Sequence, residues 1–206
     1  MLHPGKYTGE LMFTTANGLI KRTEKADLNV RKARFACIGL KGDDKLISVC
    51  DPAGFESVLL ITRQGMAIHF AVSEVSVVGR TAAGVKGITL SAGDKVAFCF
   101  CHNSEGEIIM ASDMAYLKRC LLIDFDRQAR GGKGVKAFNF LKNGANGKTV
   151  NGALIVTDPY DFEIVQKSGT VSKFGTDMLQ IETRSGRGQA YAVIVMDDIV
   201  TGLRKA

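Results

Sequence analysis

The sequence predicts an all-β fold, a propeller-like disc or open arc of about four four-stranded antiparallel blades. A strand-like pattern returns four times along the 206 residues, at a spacing near 50 that is typical of propellers and related repeat arrays. The apolar runs are short and β-branched, and no window keeps the i, i+3, i+4, i+7 stripe of an amphipathic helix. About 50 residues, at roughly ten per strand and turn, give about four strands per repeat.

Each repeat opens with two strand-like runs around a tight turn. Ala16-Asn17-Gly18 and Arg63-Gln64-Gly65 suit hairpin turns, because Gly and Asn tolerate positive φ. A cation in the second run gives the spacing: the steps are 48, 49 and 55 residues when the aligned positions are Lys21, His69, Lys118 and Lys173. The whole chain, 1–206, is therefore expected to form one repeat domain, with approximate repeats 8–54, 55–104, 105–159 and 160–206.

Composition fits a globular β domain with a sizeable core, since 46% of the residues are hydrophobic and 23 are Gly. No apolar run approaches the ~18 residues of a membrane span, and the amino terminus lacks a secretory signal pattern, so a cytoplasmic location without membrane contact is expected. The odd number of cysteines favours reduced, buried thiols in strands over a disulfide framework: Cys37, Cys50, Cys99, Cys101 and Cys120. Core packing is favoured over zinc binding for Cys99-Phe-Cys101-His102, because no second ligand pair accompanies it.

A loop rich in Arg, Lys and, in three cases, Gly follows each strand pair. The first to fourth basic loops span 31–38, 80–88, 127–135 and 183–189. The second and third align at an offset of 47, which matches Arg80 with Arg127 and Lys86 with Lys133. Acidic residues are absent around all four loops. The candidate phosphate-binding cations in and beside them are Arg31, Lys32, Arg34, Arg80, Lys86, Arg127, Arg130, Lys133, Lys136, Arg184 and Arg187.

These loops indicate a polyanion as the partner. In a ring of blades, equivalent loops fall on one rim, so the formal net charge of +6 would be concentrated in one curved belt. Gly allows backbone N–H groups to approach phosphate oxygens, and the loops lack sets of Asn or Gln that would read base edges. The expectation is binding to double-stranded DNA through shape and charge, with little sequence preference.

The third loop also resembles a known motif. The segment Gln128-Ala-Arg-Gly-Gly-Lys-Gly134 is similar to the glutamine-arginine-glycine box of the C-terminal domain of the DNA gyrase A subunit, with Ala129 where the family usually has a second arginine. Segments 78–90 and 31–40, each followed by an acidic turn, resemble the degenerate boxes in other blades of gyrase and topoisomerase IV A subunits. The resemblance covers essentially the whole chain, although the fullest box is in the third repeat and not the first.

The resemblance implies a β-pinwheel, whose blades exchange a strand with their neighbours and whose basic rim bends and wraps DNA. It implies a non-catalytic part of an ATP-dependent type II topoisomerase, with the ATPase and cleavage functions on the B subunit and on the rest of the A subunit. It implies no cofactor and no metal, and a nucleoid-associated location. By position, the box residues that would clamp DNA are Gln128, Arg130, Gly131, Gly132, Lys133 and Gly134.

Two other classes of function compete with this interpretation. A propeller-type interaction module could use the same basic loops to bind an acidic protein or a polyanionic saccharide, since charge alone does not distinguish phosphates from carboxylates. A hydrolase would need acids that converge on a central channel, whereas acids here cluster in turns such as Gly42-Asp43-Asp44. The sequence contains no phosphate-binding loop of the Gly-x-x-x-x-Gly-Lys-Ser/Thr type, so ATP hydrolysis is not expected from this chain.

Overall fold

A computed structural model describes residues 8–32, 34–195 and 197–206. Within these residues the chain forms fifteen strands: β1 (Glu10–Thr15), β2 (Leu19–Glu24), β3 (Leu46–Cys50), β4 (Ser57–Thr62), β5 (Met66–Ala71), β6 (Val85–Lys86), β7 (Val96–His102), β8 (Glu107–Ser112), β9 (Tyr116–Leu121), β10 (Val135–Lys136), β11 (Val150–Val156), β12 (Asp161–Gln166), β13 (Val171–Gly175), β14 (Gln189–Ala190) and β15 (Val200–Lys205).

The strands form four sheets, and the predicted all-β, antiparallel class is confirmed. Three sheets have four strands, in the orders β3-β1-β2-β6, β10-β5-β4-β7 and β11-β8-β9-β14, and the last has three, β13-β12-β15. In each four-stranded sheet one strand has only two residues and comes from the basic loop of the following repeat. The last sheet has no such strand among the described residues.

Each sheet is built on a hairpin with a tight turn. Gly18 and Gly65 have φ values of 83° and 80°, so the predicted turns are confirmed. An acidic side chain later in the repeat holds some of these turns: the Asp44 carboxylate accepts a hydrogen bond from the Asn17 N–H at 2.8 Å, and that of Asp198 accepts one from the Ser168 N–H at 3.0 Å. Neighbouring strands of a repeat are thereby fixed at the turn.

The chain divides into two compact units. The first unit comprises Ile68–Asn103, Arg127–Gly134 and the described residues up to Leu60; the second comprises Ile61–Ala67, Ser104–Asp126 and the described residues from Val135 onwards. Each has its own apolar core. That of the first unit contains Met12, Ile20, Val58, Leu60, Ile68, Phe70 and Val96, and that of the second contains Ile109, Leu117, Val156, Phe162, Ile164, Leu179 and Val200.

In the part of the chain that the structure describes, helical structure is confined to 3-10 turns that directly follow the second hairpin strand of each repeat: Lys25–Leu28, Val72–Glu74, Leu122–Asp124 and Thr176–Met178. Within the described residues, none of these helices has the length and apolar character that crossing a membrane requires.

In the structure all five cysteines are free. Only Cys120 is fully buried, and Cys37 lies in a loop, whereas the sequence predicted buried thiols in strands. Among the described residues, no group of three or more His, Cys, Asp or Glu side chains is arranged to hold a metal ion.

Candidate nucleic-acid interface

The second, third and fourth basic loops are each fastened to the preceding hairpin at two points. An isolated parallel bridge forms before or at the start of the loop, in the pairs Arg22 with Val77, His69 with Arg127, and Arg119 with Ile181. The loop then ends in the two-residue strand β6, β10 or β14, which pairs with β2, β5 or β9. The first basic loop has no such strand among the described residues.

These anchors correct the alignment of the second and third loops. The bridges make Val77, Arg127 and Ile181 equivalent, so the arginines three residues later, Arg80, Arg130 and Arg184, are equivalent too. The predicted match of Arg80 with Arg127 and of Lys86 with Lys133 is therefore wrong by three residues. Pairing with the preceding sheet determines which residues of the two loops are equivalent. The sequence alone does not, because Gly and Lys recur within both loops and align at an offset of 47 residues as well as at the true offset of 50.

The three equivalent arginines link each basic loop to the one before it. Arg80 Nη1 donates to the Ala36 carbonyl at 2.6 Å, and Arg184 Nη1 donates to the Lys136 carbonyl at 2.5 Å. Arg130 Nη1 donates in the same way to the Lys86 carbonyl. All three guanidinium groups are thus committed in part to protein oxygens, and these bonds hold neighbouring loops together.

Arg130 is held most closely. Its Nε donates to the Glu74 carbonyl at 3.0 Å, and its backbone N–H donates to the Glu74 carboxylate at 3.0 Å. The sequence indicated Arg130 as a phosphate ligand, and in the structure its side chain also holds the loop in position. Glu74, which the sequence reasoning missed, therefore belongs to the loop's support.

Two buried lysines of the hairpin strands donate hydrogen bonds to backbone carbonyls at the second and fourth basic loops. The Lys21 ammonium, fully buried, donates to the carbonyls of Gly79 at 3.2 Å and Arg80 at 2.8 Å. Lys118, also buried, donates to the carbonyls of Thr183, at 3.1 Å, and Arg184. Burial lowers the pKa of both ammonium groups, because desolvation disfavours the charged form.

The predicted alignment of the repeat cations is wrong by one residue in two repeats. Counting three residues from the positive-φ turn residue gives Lys21, Ile68, Lys118 and Ser172; counting four gives Arg22, His69, Arg119 and Lys173. His69 and Lys173 thus belong to the second set. A one-residue shift reverses the face of a strand. This explains why only Lys21 and Lys118 lie beneath a basic loop.

The remaining cations of the basic loops are exposed. Within the described residues no carboxylate forms an ion pair with any of them: Arg31, Lys32, Arg34, Lys86, Arg127, Lys133, Lys136 and Arg187. Arg127 Nη2 donates to the Ser57 hydroxyl at 3.0 Å. These eight side chains can therefore present positive charge to a ligand.

The glycines of the loops have two distinct environments. Gly84 and Gly188 have φ values of 100° and 74°, and a Cβ atom there would lie 2.6 Å from the Ile20 carbonyl oxygen and 2.9 Å from that of Leu117. Close packing against the preceding hairpin therefore explains these two glycines without a ligand. Gly132 is different, because it is exposed.

The third loop leaves some backbone donors available. The N–H groups of Gln128, Arg130 and Gly131 donate to His69, Glu74 and Gly87. Among the residues that the structure describes, those of Gly132 and Lys133 have no such partner. Both residues are exposed, so these two N–H groups and the Lys133 ammonium are donors of the kind that phosphate oxygens accept.

Antiparallel hairpin sheets, three of which accept a short strand from the basic loop of the next repeat, define a β-pinwheel domain, a relative of the β-propeller. A model of the family "DNA gyrase C-terminal domain, beta-propeller" matches residues 9–49, 56–103 and 106–146, more than half of the chain. The chain belongs to this family, as its third basic loop suggested.

The curated relatives are much longer proteins. The DNA gyrase A subunit of Pseudomonas aeruginosa is 29% identical over 200 residues, and that of Staphylococcus aureus strain MRSA252 is 30% identical over 198 residues. These alignments cover 96% and 95% of this chain but 21% and 22% of the relatives. The chain therefore spans about a fifth of the length of these relatives.

Solved structures give the same fold. The C-terminal domain of DNA topoisomerase IV matches 99% of this chain and 64% of that structure, with a TM-score of 0.91 and 25% identity. The DNA gyrase A C-terminal domain matches 97% of this chain and 66% of that structure, with a TM-score of 0.83 and 22% identity. The β-pinwheel expectation is confirmed.

Proposed function

We propose that this chain is a non-catalytic domain that binds double-stranded DNA along its basic loops and bends or wraps it, with little sequence preference. It would do so as the C-terminal part of the A subunit of a type IIA topoisomerase. In that setting the ATPase B subunit is one partner, the rest of the A subunit is another, and the domain presents DNA for strand passage near the nucleoid in the cytoplasm. The proposal treats 1–206 as one array of four repeats, with the boundaries given above.

One observation carries the proposal: eight exposed cations, without carboxylate partners in the described residues, lie in or beside loops that are fastened by Arg80, Arg130 and Arg184. Fixed loops lose little conformational entropy on binding, so their charges are pre-organised for a polyanion. Backbone phosphates are the same in every sequence, which favours binding without base readout.

Binding is tested by measuring the dissociation constant for two duplexes of unrelated sequence over a range of salt concentrations. A domain that contacts several phosphates should lose affinity steeply and equally for both, with a slope of about −0.9 per phosphate in a plot of log K against log salt. A shallow slope together with equal binding of polyglutamate would favour the alternative, a module for acidic proteins.

Variants separate direct contact from positioning. Lys133→Ala should weaken binding to both duplexes and reduce the slope by about 0.9, with no change in stability, because its ammonium is exposed. Arg130→Ala should also lower the free energy of unfolding, because it removes the bonds to Glu74 and Lys86. Lys167→Ala, an exposed lysine in the turn between β12 and β13, removes the same charge outside the basic loops and should bind like the wild type.

Wrapping needs a topological test. A nicked plasmid is religated with increasing amounts of the domain, deproteinised and analysed for linking number. A shift of one sign that grows with the amount of protein is expected if the domain wraps DNA chirally. If linear DNA is bound without any shift, the wrapping part of the proposal fails and only binding or bending stands.

A further inference from the structure

Three cysteines of the first unit lie together where β3 of one sheet meets β7 of the next. We call Cys50, Cys99 and Cys101 the thiol cluster. Cys50 ends β3, and the other two lie two residues apart on β7, where alternate side chains share a face. All three pack against the core of the first unit and remain partly exposed. Proposed DNA binding does not use them.

The closest pair in the cluster is Cys50 and Cys101. Their Sγ atoms are 3.4 Å apart, whereas a disulfide is about 2.05 Å long, so small side-chain rotations would bring them to bonding distance. Cys99 is engaged differently, since its Sγ accepts a hydrogen bond from the Thr14 hydroxyl at 3.2 Å. The Met12 Sδ lies 3.9 Å from the Cys101 Sγ on another side.

The two sulfur atoms of the pair differ in acidity. Hydrogen bonds from Cys101 and Cys99 lower the pKa of the Cys50 thiol to about 4, whereas the interaction with Cys50 and burial raise that of Cys101. Cys50 is therefore the more acidic thiol of the pair. The thiolate is the reactive form of cysteine towards oxidants and disulfides.

We propose that Cys50 and Cys101 form a reversible intramolecular disulfide when the protein meets hydrogen peroxide. The Cys50 thiolate attacks one peroxide oxygen, the O–O bond breaks, and the departing hydroxide takes up a proton to become water, which leaves Cys50 as a sulfenic acid. The Cys101 sulfur then attacks the Cys50 sulfur, its proton goes to the departing hydroxide, and a second water leaves. Two thiols are oxidised and one peroxide is reduced.

The bond would join two neighbouring repeats. β3 is an edge strand of the first sheet and β7 an edge strand of the second, so a covalent link between them fixes these two strands of the first unit together. It also closes a loop of 51 residues, which restricts the unfolded chain. A dithiol reverses the reaction by thiol–disulfide exchange, which returns both thiols.

The test is peptide mapping and thiol counting after treatment of the purified chain with hydrogen peroxide. We expect the free thiols to fall from five to three, one cross-linked peptide pair that contains Cys50 and Cys101, and full recovery of the five thiols with dithiothreitol. Cys50→Ser and Cys101→Ser should abolish the link, whereas Cys99→Ser and Cys120→Ser should retain it. An increase in thermal stability on oxidation is expected for the wild type and for the two variants that keep the link.

The pH dependence identifies the attacking sulfur. The oxidation rate should fall less steeply below about pH 8 than that of an ordinary thiol with a pKa near 8.5, which slows about tenfold per pH unit. The proposal is overturned if wild-type protein keeps five free thiols while glutathione treated with the same peroxide solution in a separate tube is oxidised. It is also overturned if the link joins other cysteines, or joins two chains.

Discussion

Lysines of the same charge have opposite environments in this domain. The ammonium groups of Lys21 and Lys118 are buried beneath basic loops and donate to loop carbonyls, so they are unavailable to a ligand. Those of Lys86 and Lys133 are exposed. The buried pair also lies over aromatic rings, with Lys21 Nζ 5.2 Å from the Phe13 centroid. The buried lysines therefore help to fix the shape of the loops, whereas the exposed lysines provide positive charge on the surface.

A change at the buried position should therefore affect stability. Lys118→Met keeps most of the side-chain volume but leaves the carbonyls of Thr183 and Arg184 without their donor, at a cost of roughly 1–3 kcal/mol in the free energy of unfolding. Urea denaturation measures the loss. Lys167→Met, at an exposed position, should change stability by less than about 0.5 kcal/mol. Equal stability of the two variants would refute the supporting role of Lys118.

At the scale of the elements, short two-residue strands decide how the repeats connect. Gly84 precedes β6, and its φ of 100° and the 2.6 Å approach of a Cβ to the Ile20 carbonyl leave no room for a side chain. Gly84→Ala should destabilise the protein by roughly 1–3 kcal/mol, because it forces a strained backbone or displaces β6 from β2. Thermal or urea unfolding measures this cost.

Gly79 provides the matched control in the same part of the chain. A Cβ at Gly79 would meet no heavy atom within 4 Å, and its φ is not in the positive range. Gly79→Ala should therefore leave stability nearly unchanged, within about 0.5 kcal/mol. If Gly84→Ala were tolerated as well as Gly79→Ala, β6 would not depend on the close approach of the chain at this point.

The strands of the hairpins were predictable from the sequence, but their register was not. The turn glycines Gly18 and Gly65, with the alternating apolar runs around them, are a local sequence signal for a hairpin. The two-residue strand Val85–Lys86 has none, because only pairing with a hairpin from the preceding repeat makes it a strand. The roles of Arg80 and Arg130 depend on the same long-range pairing. The sequence shows that these residues are charged, but it does not show the backbone carbonyls to which they donate hydrogen bonds.

For the molecule as a whole, a buried histidine pair in the first unit links stability to pH. The rings of His69 and His102 have centroids 5.0 Å apart, and His102 is 3% exposed. Burial, followed by the charges of His69 and Arg127, lowers the pKa of His102 to about 4 from its ordinary value of 6.5. The folded protein thus resists a proton that the unfolded chain accepts.

The sign of the effect follows from this difference. Between pH 6.5 and about 4 the unfolded state binds more protons, so stability is full above pH 6.5 and falls as the pH decreases, by roughly 3 kcal/mol at pH 4. The free energy of unfolding is measured at about pH 7, 6 and 5, where carboxylates contribute little. The Cys50 thiol, whose pKa is also lowered, acts in the same window, so the histidine is identified by comparison with a variant. His102→Gln should flatten the dependence in this window. Ile109→Val, a destabilising change in the core of the second unit, should keep the wild-type dependence of the unfolding free energy on pH. If His102→Gln also kept that dependence, the proton uptake would belong to another group.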